Sequence, residues 1–125
     1  MNLLDSSGWL EFFSDGPLAG RFAPLLRDAG EILVPTIVIY EVFKVILRER
    51  GEAAALQAAA AMRQGVVVDA TEEVALLAAR SSLEHRLPMA DSIIFTTARL
   101  HGATIWTMDE HFAAIPGVKY FPAKA

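Results

Sequence analysis

Four acids stand at the margins of apolar segments: Asp5 ends the run NLLD, Glu41 interrupts TIVIYEVFKVIL, Asp91 sits just inside PMADSIIF, and Asp109 follows TIW within three residues. Two carboxylates about 4 Å apart repel by about 4 kcal/mol at an effective dielectric near 20. If folding gathers these acids in one cleft, a cation must relieve them. Carboxylates without any cysteine suit Mg²⁺ or Mn²⁺ rather than Zn²⁺. Such an ion polarises a phosphoryl oxygen and acidifies water, which is phosphodiester chemistry. Taken singly, each acid also has a simpler reading. Asp5 or Asp109 could cap a helix, Asp91 could favour a helix dipole, and Glu41 could pair with Lys44 or Arg48 on its own face.

The elements that must position these acids are legible in the apolar pattern. NLLD reads as a strand, and a short helix follows it through Phe13. Pro17 opens a second helix that runs to about Asp28, closed by Gly30. EILV is a second strand. Pro35 and Thr36 open a long helix to Gly51, with Thr36 as its N-cap. EAAALQAAAAMRQ is a further helix ending at Gly65, VVVD a third strand, and TEEVALLAARSSLEHR a fifth helix capped by Thr71. Pro88 starts a sixth helix ended by Gly102, ATIW is a fourth strand, and VKYF a fifth. Short apolar strands alternating with helices predict one α/β domain over residues 1–125, a central parallel sheet of about five strands with helices on both faces. In such sheets ligands bind beyond the carboxyl ends of the strands. Asp5 and Asp109 meet there if the first and fourth strands are neighbours.

Composition limits the remaining choices. A chain of 125 residues with 54% hydrophobic residues can bury one core without staples. It has no cysteine, so disulfides and thiolate sites are excluded and a reducing cytoplasm is the expected location. The start MNLLDSSGWL lacks a basic region and a long apolar run, and no segment approaches the roughly 20 apolar residues of a membrane span. The net charge of −4 argues against binding nucleic acid by bulk electrostatics, so any such substrate must be held locally.

LLDSS, the mid-helix glutamate of IYEVFKVILRERG, LPMADSIIFTTA and TIWTMDEHF, in that order, together resemble the PIN-domain ribonucleases, particularly the VapC-type toxins of toxin–antitoxin pairs. The resemblance covers almost the whole chain. It implies that Asp5, Glu41, Asp91 and Asp109 are the catalytic acids, with Asp5 and Asp91 holding Mg²⁺ or Mn²⁺ and with Asp109 and Glu41 binding a second ion or orienting water. Thr107 matches the hydroxyl the family places before its last acid, and Ser7 is a supporting candidate that could equally cap a helix. The expected activity is metal-dependent RNA hydrolysis to 5′-phosphate and 3′-hydroxyl ends. The expected partners are an RNA substrate, a cognate antitoxin protein and a second copy of the chain. The apolar faces of TIVIYEVFKVIL and AAALQAAAAM also point to burial at an interface.

Other residues carry less. Asp69 ends an edge strand and reads as a turn residue. His111 has little claim as a general base beside an ion that acidifies its own water, and His101 suits a helix's last turn. Trp9, Phe12 and Phe13 read as core, and Lys44, Arg48 and Arg50 as a solvated helix end whose first two members share Glu41's face. Two alternatives differ in class. A receiver-like phosphoacceptor domain has the same length and pattern but needs an acid pair where this chain has only Asp5, and its lysine after the fifth strand has no better match than Lys119. A PIN scaffold that only binds is the other.

Overall fold

The computed structural model describes residues 1–123. In chain order its elements are β1 (Asn2–Leu4), α1 (Ser6–Phe13), α2 (Ala19–Leu26), β2 (Ile32–Pro35), α3 (Thr36–Arg50), α4 (Glu52–Met62), β3 (Val66–Val68), α5 (Glu72–His85), α6 (Met89–Leu100), β4 (Thr104–Thr107) and β5 (Lys119–Tyr120). Single tight helical turns lie at Ala29–Glu31 and Glu110–Phe112. The sheet order is β3-β2-β1-β4-β5 and every pairing is parallel, as the alternating pattern predicts. Right-handed crossovers put the helices of the β1→β2→β3 steps on one face and those of the return to β4 on the other. The inner strands β1 and β2 are therefore covered on both faces, which is why Leu3, Leu4, Leu33 and Val34 are wholly buried. Phe22, Val38, Val42 and Met62 fill one layer and Ile94 and Phe95 the other.

Local chemistry explains most element boundaries, and two expectations need correction. Thr71 caps α5 as expected, accepting from the Val74 backbone N–H at 3.2 Å. Thr36, however, is not an N-cap. Pro35 remains extended as the last residue of β2, so α3 starts directly at the strand's end with Thr36 already helical. The second helix starts at Ala19 rather than Pro17. The Glu11 carboxylate reaches across from α1 to accept from the Leu18 N–H at 2.8 Å, holding the segment before it in a turn. β3 lies two strands from β1, and its valines 66 and 67 are part-exposed because only one neighbour flanks them.

Candidate active site

Asp5 is the N-cap of α1. The strand delivers it and the helix begins at the next residue, so the simple reading and the functional one describe the same carboxylate. It is only 1% exposed. Oδ1 accepts from the Ser7 hydroxyl at 2.5 Å and the Gly8 N–H at 3.2 Å, and Oδ2 accepts from the Thr107 hydroxyl at 2.7 Å. A carboxylate has about four acceptor positions, so three donors fix its orientation and leave capacity for one more partner. Burial raises its pKa to about 6, against the opposing effect of those hydrogen bonds. Ser7 is thus no helix cap. Its hydroxyl donates to Asp5 and accepts from the Met108 N–H at 2.9 Å, joining the start of α1 to the end of β4.

β1 and β4 are adjacent, with Leu4 opposite Trp106. This adjacency brings Asp109 towards Asp5. The Thr107 hydroxyl accepts from the Asp109 N–H at 2.9 Å while donating to Asp5, so it sets both acids. Asp109 also caps the turn Glu110–Phe112 by accepting from the His111 N–H at 2.9 Å. Asp91, in the first turn of α6, completes the group and is 8% exposed. Burial and the neighbouring Asp109 carboxylate raise its pKa to about 7, against the opposing charge of His111. Glu41 is half-buried, accepts from the Ser6 hydroxyl at 2.9 Å, and is raised by burial and by Asp109. Asp109 is therefore the charge that all three other acids sense.

His111 enters the site against expectation. Its Nδ1 lies 2.7 Å from Asp109 Oδ1 and 3.3 Å from Asp91 Oδ2, and the hydrogen bond to Asp109 raises its pKa. Asp91, Asp109 and His111 each offer one ligand atom, all within 4.8 Å of one another. Clustered oxygen donors and raised carboxylate pKa values fit a divalent cation. The spacing of Asp109 and His111 on one short turn was the available signal for His111. Ser6 and Glu41 are 35 positions apart, and nothing local links them.

The remaining candidates fall where the sequence puts them. Asp69 follows the edge strand β3, away from β1. His101 is bonded to its own helix end, and Trp9 is buried and stacked on Phe13. Arg50 donates to the Phe13 carbonyl, while Lys44 and Arg48 are exposed. The receiver-like alternative fails on geometry as well as motif, because its phosphoacceptor would be the enclosed Asp5 and Lys119 lies over the Trp106 ring. No helix among the described residues is long and apolar enough to cross a membrane.

In three dimensions the chain is similar to a chain of a toxin–antitoxin complex from Klebsiella pneumoniae, at 24% identity and TM-score 0.78 over 94% of this chain and 95% of that one. It is similar to VapC20 of Mycobacterium tuberculosis, a sarcin-ricin loop cleaving toxin, at 20% identity and TM-score 0.81 over 98% and 100%. It is also similar to DNA-bound VapBC from Salmonella typhimurium, at 16% identity and TM-score 0.74 over 98% of each chain. These likenesses concern the fold. No curated protein sequence matches the chain. The PIN domain family matches residues 3–118. With sheet order, acid placement and family match in agreement, the chain belongs to the PIN domain family.

Proposed function

We propose that the protein is a divalent-cation-dependent endoribonuclease and the toxin of a toxin–antitoxin pair, working in the cytoplasm on RNA. The observation that carries this reading is the convergence of Asp91, Asp109 and His111 beside the buried Asp5 in a PIN chain. The similarity to VapC20, a sarcin-ricin loop cleaving toxin, supports RNA as the substrate class, and the similarity to toxin–antitoxin complexes supports a cognate antitoxin. Asp5, Asp91 and Asp109 would hold Mg²⁺ or Mn²⁺, with Glu41 at the margin. The bound cation would polarise the scissile phosphate and acidify water for in-line attack.

The chain's own residues supply the positioning. Ser7 and Thr107 hold Asp5 by its two oxygens, Thr107 sets Asp109 through its backbone, and Ser6 fixes Glu41. His111 Nδ1 lies beside both Asp91 and Asp109, where it can carry a proton at the edge of the cluster. Exposed Tyr40, Leu47 and Leu56 on α3 and α4 support burial of that hairpin against a partner, either a second copy or the antitoxin.

The test is end-group analysis of cleaved RNA. Products with 5′-phosphate and 3′-hydroxyl ends, formed with Mn²⁺ and abolished by EDTA, support the reading. A 2′,3′-cyclic phosphate, or full activity in EDTA, overturns it. Expression of the chain alone should arrest bacterial growth, and Asp109→Ala should relieve the arrest; arrest by a folded, nuclease-dead variant would favour the scaffold that only binds.

A further inference from the structure

A cleft of about 700 Å³ lies between α2 and the strands β4 and β5, lined by Gly20, Arg21, Trp106, Lys119 and Phe121 among others, on the face of β4 opposite the Thr107 hydroxyl. Trp106 and Phe121 stack with ring centroids 5.7 Å apart and planes 23° from parallel. Arg21 Cζ sits 5.8 Å from the Phe121 centroid, and Lys119 Nζ sits 5.2 Å from that of Trp106. Both cations are exposed, and neither has a carboxylate partner among the described residues. An aromatic face holds a cation in place without cancelling its charge, whereas an ion pair would neutralise it. Lys44 over Tyr40 and Arg99 over Phe95 are isolated pairs of this kind. In this cleft two cations converge on rings that stack on each other.

Thr107, next to Trp106 in β4, links the cleft lining to the site through its hydrogen bonds. Its carbonyl accepts from the Phe121 N–H at 2.8 Å on the cleft side, and its hydroxyl donates to Asp5 on the other. A protein with net charge −4 must hold a polyanion locally, and two unneutralised cations on a fixed aromatic base, joined to the acid-bearing end of β4 through Thr107, supply such a place. We propose that the cleft between α2 and β5 binds the phosphate backbone of the RNA that flanks the scissile bond, with Arg21 and Lys119 each holding one phosphate. This rests on the ribonuclease reading of the acids around Asp5. Lys119 and Arg21 fix the register of the strand, and the acids cut it.

The experiment measures binding of a short fluorescein-labelled single-stranded RNA of mixed sequence in EDTA across a salt series, together with cleavage kinetics in Mn²⁺. Arg21→Gln with Lys119→Gln should lower the magnitude of the log K against log salt slope by about 1.4, which is about 0.7 for each phosphate of a single strand that is no longer neutralised. It should raise KM roughly tenfold with kcat unchanged, the pattern expected when uniform binding is removed. Gly20→Glu tests the cleft while leaving both cations in place. A Cβ at Gly20 meets nothing within 4 Å, so the added carboxylate enters open space and should weaken binding, while Gly20→Ala should not. Arg63→Gln with Arg80→Gln removes the same charge from exposed positions outside the cleft and should leave the slope unchanged.

Unchanged slope and KM in the Arg21/Lys119 and Gly20→Glu variants would overturn the cleft while leaving the ribonuclease intact. An equal weakening in the Arg63/Arg80 variant would also overturn it, in favour of net charge. Failure of the unsubstituted chain either to bind or to cut RNA would overturn the ribonuclease reading and the cleft with it.

Discussion

The Thr107 hydroxyl donates to Asp5 Oδ2 at 2.7 Å while accepting from the Asp109 N–H at 2.9 Å, so one side chain on β4 orients an acid on β1 and the backbone of another beyond β4. Thr107→Val keeps the shape and removes the hydroxyl, leaving both groups without that partner. We expect cleavage to fall about 10- to 100-fold, the usual effect of losing a group that orients a ligand, with a stability loss of about 1–3 kcal/mol. Thr107→Ser should retain most activity. Steady-state kinetics and denaturant unfolding of the two variants check this, and equal activity in Thr107→Val and the parent would remove Thr107 from the site.

Asp109 raises the pKa of Asp5, Glu41 and Asp91 together, so neutralising it should relieve crowding. Asp109→Asn keeps an oxygen to accept from the His111 N–H and changes only the charge. In EDTA its melting temperature should rise by roughly a few degrees. Its response to Mn²⁺ should shrink from the parent's, where an ion at a hundredfold excess over Kd contributes about 2.7 kcal/mol. Calorimetric melting with and without Mn²⁺ reads both effects, and an identical Mn²⁺ response in parent and variant would remove Asp109 from the cation site.

Stability of the metal-free protein should fall as pH rises from about 4 to about 7, because burial lifts Asp5 from 3.8 to about 6 and Asp91 from 3.8 to about 7. In that window the folded chain keeps protons that the unfolded chain releases, so the contribution is complete below the unfolded value and lost through the folded one. Each group adds at most about 1.4 kcal/mol per pH unit to the slope. His111, raised by Asp109, acts in the same direction above its ordinary value. Urea unfolding in EDTA across this range should show the decline, and Asp91→Asn should flatten it. A stability that climbs with pH would contradict the buried, proton-retaining cluster.

Binding of Mn²⁺ near pH 7 should release protons, since the raised carboxylates and His111 must give them up to become ligands. Titration calorimetry in buffers of differing ionisation enthalpy measures the count. No buffer dependence would mean that the ion sits elsewhere.

Gly8 is fixed by its surroundings. A Cβ there would run into the Leu4 side chain, which is wholly buried at the end of β1, and the Gly8 N–H donates to Asp5. Gly8→Ala should cost about 1–3 kcal/mol through overpacking and lower activity by displacing the start of α1. Unfolding and cleavage assays on this variant check both, and a fully active, fully stable Gly8→Ala protein would show that Leu4 can yield.

Element type and order were legible because they depend on short-range pattern: NLL and TIW are apolar runs of strand length, and Thr71 caps the helix that follows it. Three of the acids were legible as outliers at the edges of those runs and Glu41 as an interruption within one, and the family resemblance set them in order. Element starts were less so, as Pro17 and Thr36 show, because a distant Glu11 side chain and a proline still in the sheet decided them. The tertiary structure alone decided which side chains face one another. Placing β4 beside β1 brings the Thr107 hydroxyl onto Asp5 from 102 positions away and the Met108 N–H onto Ser7, and the packing of α1 on α3 joins Ser6 to Glu41. The packing of α6 on β4 brings Asp91 to His111, and the pairing of β5 with β4 sets Lys119 over the Trp106 ring. Hydrophobic burial fixes the strands by local period, whereas hydrogen bonds and charge act over a few ångströms between segments that only the completed sheet brings into register.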